Sequence, residues 1–234
     1  MNLALIIAGG TGNRTGFCIP KQFIQVDNIP VIVYTLKKYQ NHPLIDAICV
    51  VSLNGWEQYV YNQAQLYKIT KLKHITTGGK TGQDSIYNGL IELNKHYNTN
   101  DFVLIHDAVR PIIPDDIIDD AIVTAQKYGN AVSGLPVFEA LVHKSGKTFT
   151  PHGMLYRAQA PQCFRLGHIT QIHTLAKSRG ITNSTTSATL MIEMGQPVFF
   201  SRGTNQNIKL TTSADFTIFQ AILETSKNEY NFDI

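Results

Sequence analysis

Apolar positions in this 234-residue chain fall into short runs separated by segments of helical periodicity. Leu3–Ala8, Ala47–Leu53, Lys73–Thr77, Phe102–His106, Ala131–Pro136 and Pro197–Ser201 read as strands, being brief, continuous and bounded by glycine, proline or polar residues. Between them, Val31–Gln40, Trp56–Tyr67, Asp84–Leu93 and Pro114–Tyr128 read as helices. Pro114-Asp115-Asp116 places a proline and two acids in a first helical turn, where the helix dipole favours negative charge. Alternating strands and helices make βαβ units. The pattern therefore predicts an α/β fold, a mostly parallel sheet with helices on both faces.

That rhythm breaks near Val137. From there to Phe164 the chain reads as extended pieces around the turn Ser145-Gly146, an insertion at about 137–164 of the kind that forms an arm or an intersubunit contact. Helical periodicity resumes at Leu166–Ser178, and Ser213–Thr225 reads as a last helix with Ser213 as N-cap. A single domain over residues 1–234 accommodates the whole pattern.

Composition narrows the function. Charged residues are 16% of the chain, against about 25% in typical domains, and the net charge is only +3. Neither nucleic-acid binding nor a membrane span fits: the longest basic cluster is Lys71-Leu72-Lys73-His74, and no apolar stretch reaches the roughly 18 residues a span needs. Cys18, Cys49 and Cys163 are odd in number and widely spaced, without a zinc pattern or a disulfide framework, which points to a reducing, cytoplasmic setting. The eight histidines show no metal-ligand spacing.

Two loops carry candidate chemistry. The first strand runs into Ala8-Gly9-Gly10-Thr11-Gly12-Asn13-Arg14-Thr15-Gly16, followed by Pro20-Lys21. Glycines let backbone N–H groups approach a phosphate, and ligands of open α/β sheets bind beyond the carboxyl ends of strands. Gly10, Gly12 and Gly16 are one residue too widely spaced for a dinucleotide fingerprint, and no Gly-Lys-Ser/Thr follows for a P-loop. Two readings stay open: a triphosphate site with Arg14 and Lys21 as its cations, or a tight turn with two solvated bases. Asp107 ends the Phe102–His106 run, where one carboxylate suffices to hold Mg²⁺ against phosphate oxygens, or simply caps a turn. His106 beside it reads as a core histidine.

Taken together, these segments resemble a known family. Ala8–Arg14, Pro20-Lys21-Gln22-Phe23, Gly78-Gly79 with Asp84-Ser85, His106–Pro111, Ala160-Pro161-Gln162 and Asn207–Thr212 fall in the order and spacing of the cytidylyltransferases that act on 2-C-methyl-D-erythritol 4-phosphate or ribitol 5-phosphate. The resemblance implies a Rossmann-like domain, similar to nucleotide-diphospho-sugar transferases, with a protruding arm that exchanges contacts in a homodimer. It implies CTP, Mg²⁺ and an alditol phosphate, giving a CDP-alditol and pyrophosphate. By position, Arg14, Lys21 and Lys209 match the catalytic cations. Ala8, Gly9, Gly10, Gly12, Gly79 and Ser85 match nucleotide contacts, and Asp107 matches a nucleotide-side carboxylate that holds the metal. Arg110, Ala140, His152 and Arg157 fall at acceptor-binding positions.

Departures from the family pattern cluster in the site. The arginine three residues before the serine is Gly82, leaving Lys80 or Gln83 as substitutes; the arm's Asp-Thr is Glu139-Ala140. An expected arginine is His152, with Arg157 nearby; a motif threonine is Ala160, and an acidic residue is lost at Thr186 or Ser187. Losing such contacts implies either a different acceptor or decayed activity. Leu155-Tyr156, Val142 and Asn54-Gly55-Trp56 lean toward the pentitol-phosphate branch, while the Arg14–Lys21 spacing leans toward the erythritol branch.

Overall fold

The computed structural model describes residues 1–10, 19–151 and 153–228. In chain order the elements are β1 (Asn2–Ala8), β2 (Gln25–Val26), β3 (Ile29–Pro30), α1 (Val31–Asn41), β4 (Ala47–Ser52), α2 (Glu57–Leu66), β5 (Leu72–Thr77), α3 (Gly82–Asn94), β6 (Phe102–Asp107), α4 (Asp115–Tyr128), β7 (Asn130–Pro136), β8 (Leu141–Val142), β9 (Phe149–Thr150), β10 (Tyr156–Arg165), α5 (Leu166–Ser178), α6 (Ser187–Glu193), β11 (Phe200–Arg202) and α7 (Ser213–Asn228). Seven strands form one sheet in the order β11-β7-β10-β6-β1-β4-β5. All run parallel except β10, which pairs antiparallel with both β6 and β7.

Strand alternation sorts the core into two layers. Ala4, Ile6, Ile48 and Val50 pack on the face covered by α1, α2 and α4, while Leu3, Leu5, Cys49 and Val51 pack on the face covered by α3, α5 and α6. Phe216 and Phe219 of α7 join Val31 and Val109 in a third cluster beside the first layer. Helices therefore cover both faces, as the sequence predicts. Trp56 stacks on Phe23 with ring centroids 4.5 Å apart, fixing the start of α2.

Local boundaries differ from the expectation where capping decides them. Thr81 caps α3 reciprocally with Asp84, so the helix begins at Gly82 rather than Asp84. Thr212 and Asp215 exchange bonds at the start of α7, which makes Ser213 helical instead of the cap. The expected insertion is shorter than 137–164. Tyr156–Arg165 belongs to the main sheet, and the excursion is Val137–Leu155, built around a small β8–β9 hairpin that turns at Gly146 in left-handed conformation. Phe138, Val142, Phe149 and Met154 on it are exposed. Among the described residues no helix is long and apolar enough to cross a membrane.

Candidate active site

The carboxyl ends of β1, β4, β5 and β6 open on one cleft of about 470 Å³, lined by Ala8, Gly9, Gly10, Lys21, Leu53, Gly79, Ser85, Asp107 and Lys209 among others. A size of this order suits a nucleotide. Close backbone approach builds its floor. A Cβ on Gly79 would lie 2.3 Å from Asp84 Cβ, so that position requires glycine, and one on Gly9 would press on Ser85 Oγ at 3.0 Å. Ser85 Oγ accepts from Gly79 N at 3.0 Å and donates to Thr81 O at 2.9 Å, locking the loop onto the start of α3.

Gln22 supplies a second lock. Buried behind the glycine loop, its amide donates to Ala8 O at 2.7 Å and Gly10 O at 3.0 Å. The sequence reading assigns Gln22 no role. Its place in the segment Pro20-Lys21-Gln22-Phe23, beside Lys21, is the signal that marks it.

Asp107 stands where the first cleft meets a second one of about 160 Å³, lined by Gly82, His106, Arg110, Ala158, Gln159, Ala160, Gln162, Thr186, Ser187 and Lys209 among others. Lys209 donates to Asp107 Oδ1 at 2.8 Å and Arg110 to Oδ2 at 2.9 Å. Burial opposes ionisation of Asp107. The Lys209 and Arg110 charges outweigh that burial and hold the carboxyl well below the usual carboxylate range. Arg110 also donates to Asn207 O at 2.7 Å, which ties the turn after β6 to the segment carrying Lys209. His106 is buried, its Nε2 3.1 Å from Arg110 O, and burial pushes its pKa down to about 4, so it is neutral.

Asp107 also fits a divalent cation. It is an ionised carboxylate facing both clefts, and each oxygen, engaged once by a cation, keeps a lone pair for a hard metal ion shared with phosphate oxygens.

Most expected positions thus converge. Ala8, Gly9, Gly10, Lys21, Gly79, Ser85, Asp107 and Lys209 line the first cleft, and Arg110 lines the second. Gly12, Arg14, Cys18 and His152 lie outside the described residues. Ala140 and Arg157 line neither cleft: Ala140 is exposed on the excursion, and Arg157 on β10 pairs with Glu139 at 3.7 Å.

Several departures acquire structural meaning. Gly82 sits on the wall common to both clefts, with open space at its Cβ position. Gln83 is no substitute there. It is buried and binds Ile181 O and Ser184 N, holding the chain between α5 and α6. Lys80 does line the first cleft. Thr186 caps α6, so that departure serves local structure, while Ala160, whose carbonyl accepts from the Asn207 amide, leaves a methyl group on the wall of the second cleft.

Comparison with known proteins shows the family. Residues 2–225 match the family described as 2-C-methyl-D-erythritol 4-phosphate cytidylyltransferase (IspD). Among similar proteins, a ribitol-5-phosphate cytidylyltransferase of Vibrio parahaemolyticus is 39% identical over 97% of this chain and 98% of its own length. A 2-C-methyl-D-erythritol 4-phosphate cytidylyltransferase of Clostridium botulinum is 37% identical over 95% of this chain and 97% of its own. The fold is similar to that of 4-diphosphocytidyl-2C-methyl-D-erythritol synthase from Anaerococcus prevotii, with a TM-score of 0.81 at 23% identity over 96% of each chain.

Proposed function

Since the chain belongs to the 2-C-methyl-D-erythritol 4-phosphate cytidylyltransferase family and is a cytidylyltransferase, we propose that it transfers CMP from CTP to ribitol 5-phosphate. An acceptor phosphate oxygen forms the new bond to the α-phosphorus, the α–β bridging bond breaks, and pyrophosphate leaves. The observation that carries this reading is the Lys209–Asp107–Arg110 cluster at the junction of a nucleotide-sized cleft and a smaller one. Such an arrangement puts fixed charge where two phosphorylated substrates meet, and phosphoryl-type transfer depends on positioning and charge neutralisation.

The residues divide the work. The Gly9–Gly10 and Gly79 backbone with Ser85 receives the nucleoside, and Lys21, Arg14 and Lys209 neutralise the triphosphate and the departing pyrophosphate. Arg110 faces the acceptor from the second cleft. Mg²⁺ on Asp107, when bound, supplies further charge neutralisation to the phosphates. Ala140 and His152 on the arm, with Arg157 at the adjoining start of β10, complete the acceptor site of a second copy. The exposed Phe138, Val142 and Phe149 on the excursion support such a homodimer.

Likeness to ribitol-5-phosphate cytidylyltransferases favours the pentitol. The second reading, 2-C-methyl-D-erythritol 4-phosphate as acceptor, draws on the family match and the 37% identical relative. Pyrophosphate release with CTP and each acceptor separates them. Faster turnover of ribitol 5-phosphate is expected, preference for the erythritol phosphate selects the second reading, and release with UTP but not CTP refutes both.

A further inference from the structure

Away from the cleft, the outer edge of the sheet gathers three metal-type side chains. His74 stands on edge strand β5, Glu92 lies in the last turns of α3, and His96 follows that helix's C-cap, Lys95. One ligand atom from each lies within 4.8 Å of the others. Spacing along the chain hides the group, because Glu92 and His96 form only an i, i+4 pair and the third member arrives from a different element.

We propose that His74, Glu92 and His96 form a site for one divalent transition-metal ion of the Zn²⁺ type, with water completing the coordination. Two imidazoles and a carboxylate suit a borderline ion of this kind and not Mg²⁺, which prefers oxygen throughout. Neighbouring groups already orient the ligands. The Tyr97 hydroxyl lies 3.2 Å from His74 Nε2 and steadies that ring, and Lys95 donates to Glu92 Oε2 at 2.7 Å, which leaves Oε1. His96 Nε2 is 3.2 Å from that same Oε1, a contact that an entering ion replaces. Burial and the adjacent His96 lower the His74 pKa and keep its ring neutral; the Lys95 hydrogen bond lowers that of Glu92 and keeps it ionised.

The His74 and His96 rings stack at 4.2 Å between centroids, 15° from parallel. Stacked rings send their lone pairs along parallel planes, so binding turns His96, whose side chain is 44% exposed, out of the stack. Cys49, the register partner of His74 on β4, takes no part, since burial pushes its thiol up to about 12. An ion here pins β5, which leads into Gly78-Gly79, to the far end of the helix whose first turn carries Ser85. Its role is structural.

The test uses full-length protein stripped of metal at pH 7.5. Calorimetric titration with Zn²⁺ is expected to show one equivalent bound, equally in Asp107→Asn, with a rise in thermal midpoint that equimolar Mg²⁺ does not produce. His96→Gln and Glu92→Gln, whose folding is checked by circular dichroism, should each weaken Zn²⁺ binding at least about tenfold, and Tyr97→Phe about 10–100-fold. Absence of stoichiometric binding, or unchanged affinity in His96→Gln or Glu92→Gln, overturns the proposal.

Discussion

Replacing Lys209 by alanine separates a catalytic cation from a structural one. In the folded protein the substitution removes one contact, Nζ to Asp107 Oδ1 at 2.8 Å, between side chains that are 42% and 25% exposed. Solvent screens such a pair, and exposed ion pairs contribute about 0.2–1 kcal/mol. Arg110 stays on the other oxygen at 2.9 Å, so Asp107 is not left without a counter-charge. Unfolding free energy should therefore fall by no more than about 1 kcal/mol. Around a reacting triphosphate the same ammonium faces growing negative charge, where losing one preorganised group costs about 10²–10³ in rate, or roughly 2.7–4 kcal/mol. Because that interaction strengthens in the transition state, kcat and kcat/KM should fall together. Pyrophosphate release at saturating CTP and ribitol 5-phosphate, with urea unfolding on the same preparation, measures both quantities. A kcat within threefold of the parent's refutes the catalytic assignment. A stability loss above about 3 kcal/mol shows instead that Lys209 holds the fold.

Other outcomes follow from the same geometry. Gln22→Ala leaves the Ala8 and Gly10 carbonyls without their donor, costing about 1–3 kcal/mol of stability and raising the KM for CTP, both readable from a urea titration and initial rates. Gly82→Arg meets open space and removes a helical glycine, so its thermal midpoint should match or exceed the parent's while the added cation lowers the KM for CTP; a large destabilisation contradicts the geometry. Burial pushes the pKa of both His106 and His173 down to about 4. The unfolded chain therefore binds more protons between about pH 6.5 and 4, and stability is complete above pH 6.5 and lost as pH falls through that window. At pH 5 each histidine should cost about 2 kcal/mol, and His173→Gln should flatten the decline in urea midpoint between pH 7 and 5.

What the sequence made legible were features with a local cause. The strands from Leu3, Ala47 and Phe102 announce themselves because their residues are buried on both faces and so read as unbroken apolar runs. Asp107 and Lys209 are legible as candidates because both fall in motif segments, yet only the fold shows their 2.8 Å contact across 102 positions. Capping shifted helix starts at Thr81 and Thr212, where one hydroxyl and one carboxylate outweigh hydrophobic periodicity. Tyr156–Arg165 escaped as a sheet strand because its first residues, Tyr156 to Ala158, are exposed and its register shifts between Ala158 and Gln162. Gln83 shows the limit of motif logic: adjacent to a departure from the family pattern, it points away from the cleft and binds a different loop.

The reversed strand has a consequence for synthesis. By residue 107 the ribosome has delivered β1, β4, β5 and β6, a parallel set that can close on its own helices. Nothing yet covers the outer side of Phe102–Asp107, whose ladder partner β10 begins only at Tyr156. In the finished sheet that strand is almost wholly buried; while the excursion and β7 are being made, it is an unpaired apolar edge, the kind that recruits foreign strands. A translational pause in this interval lengthens that exposure, and the nascent chain is most prone to aggregate there.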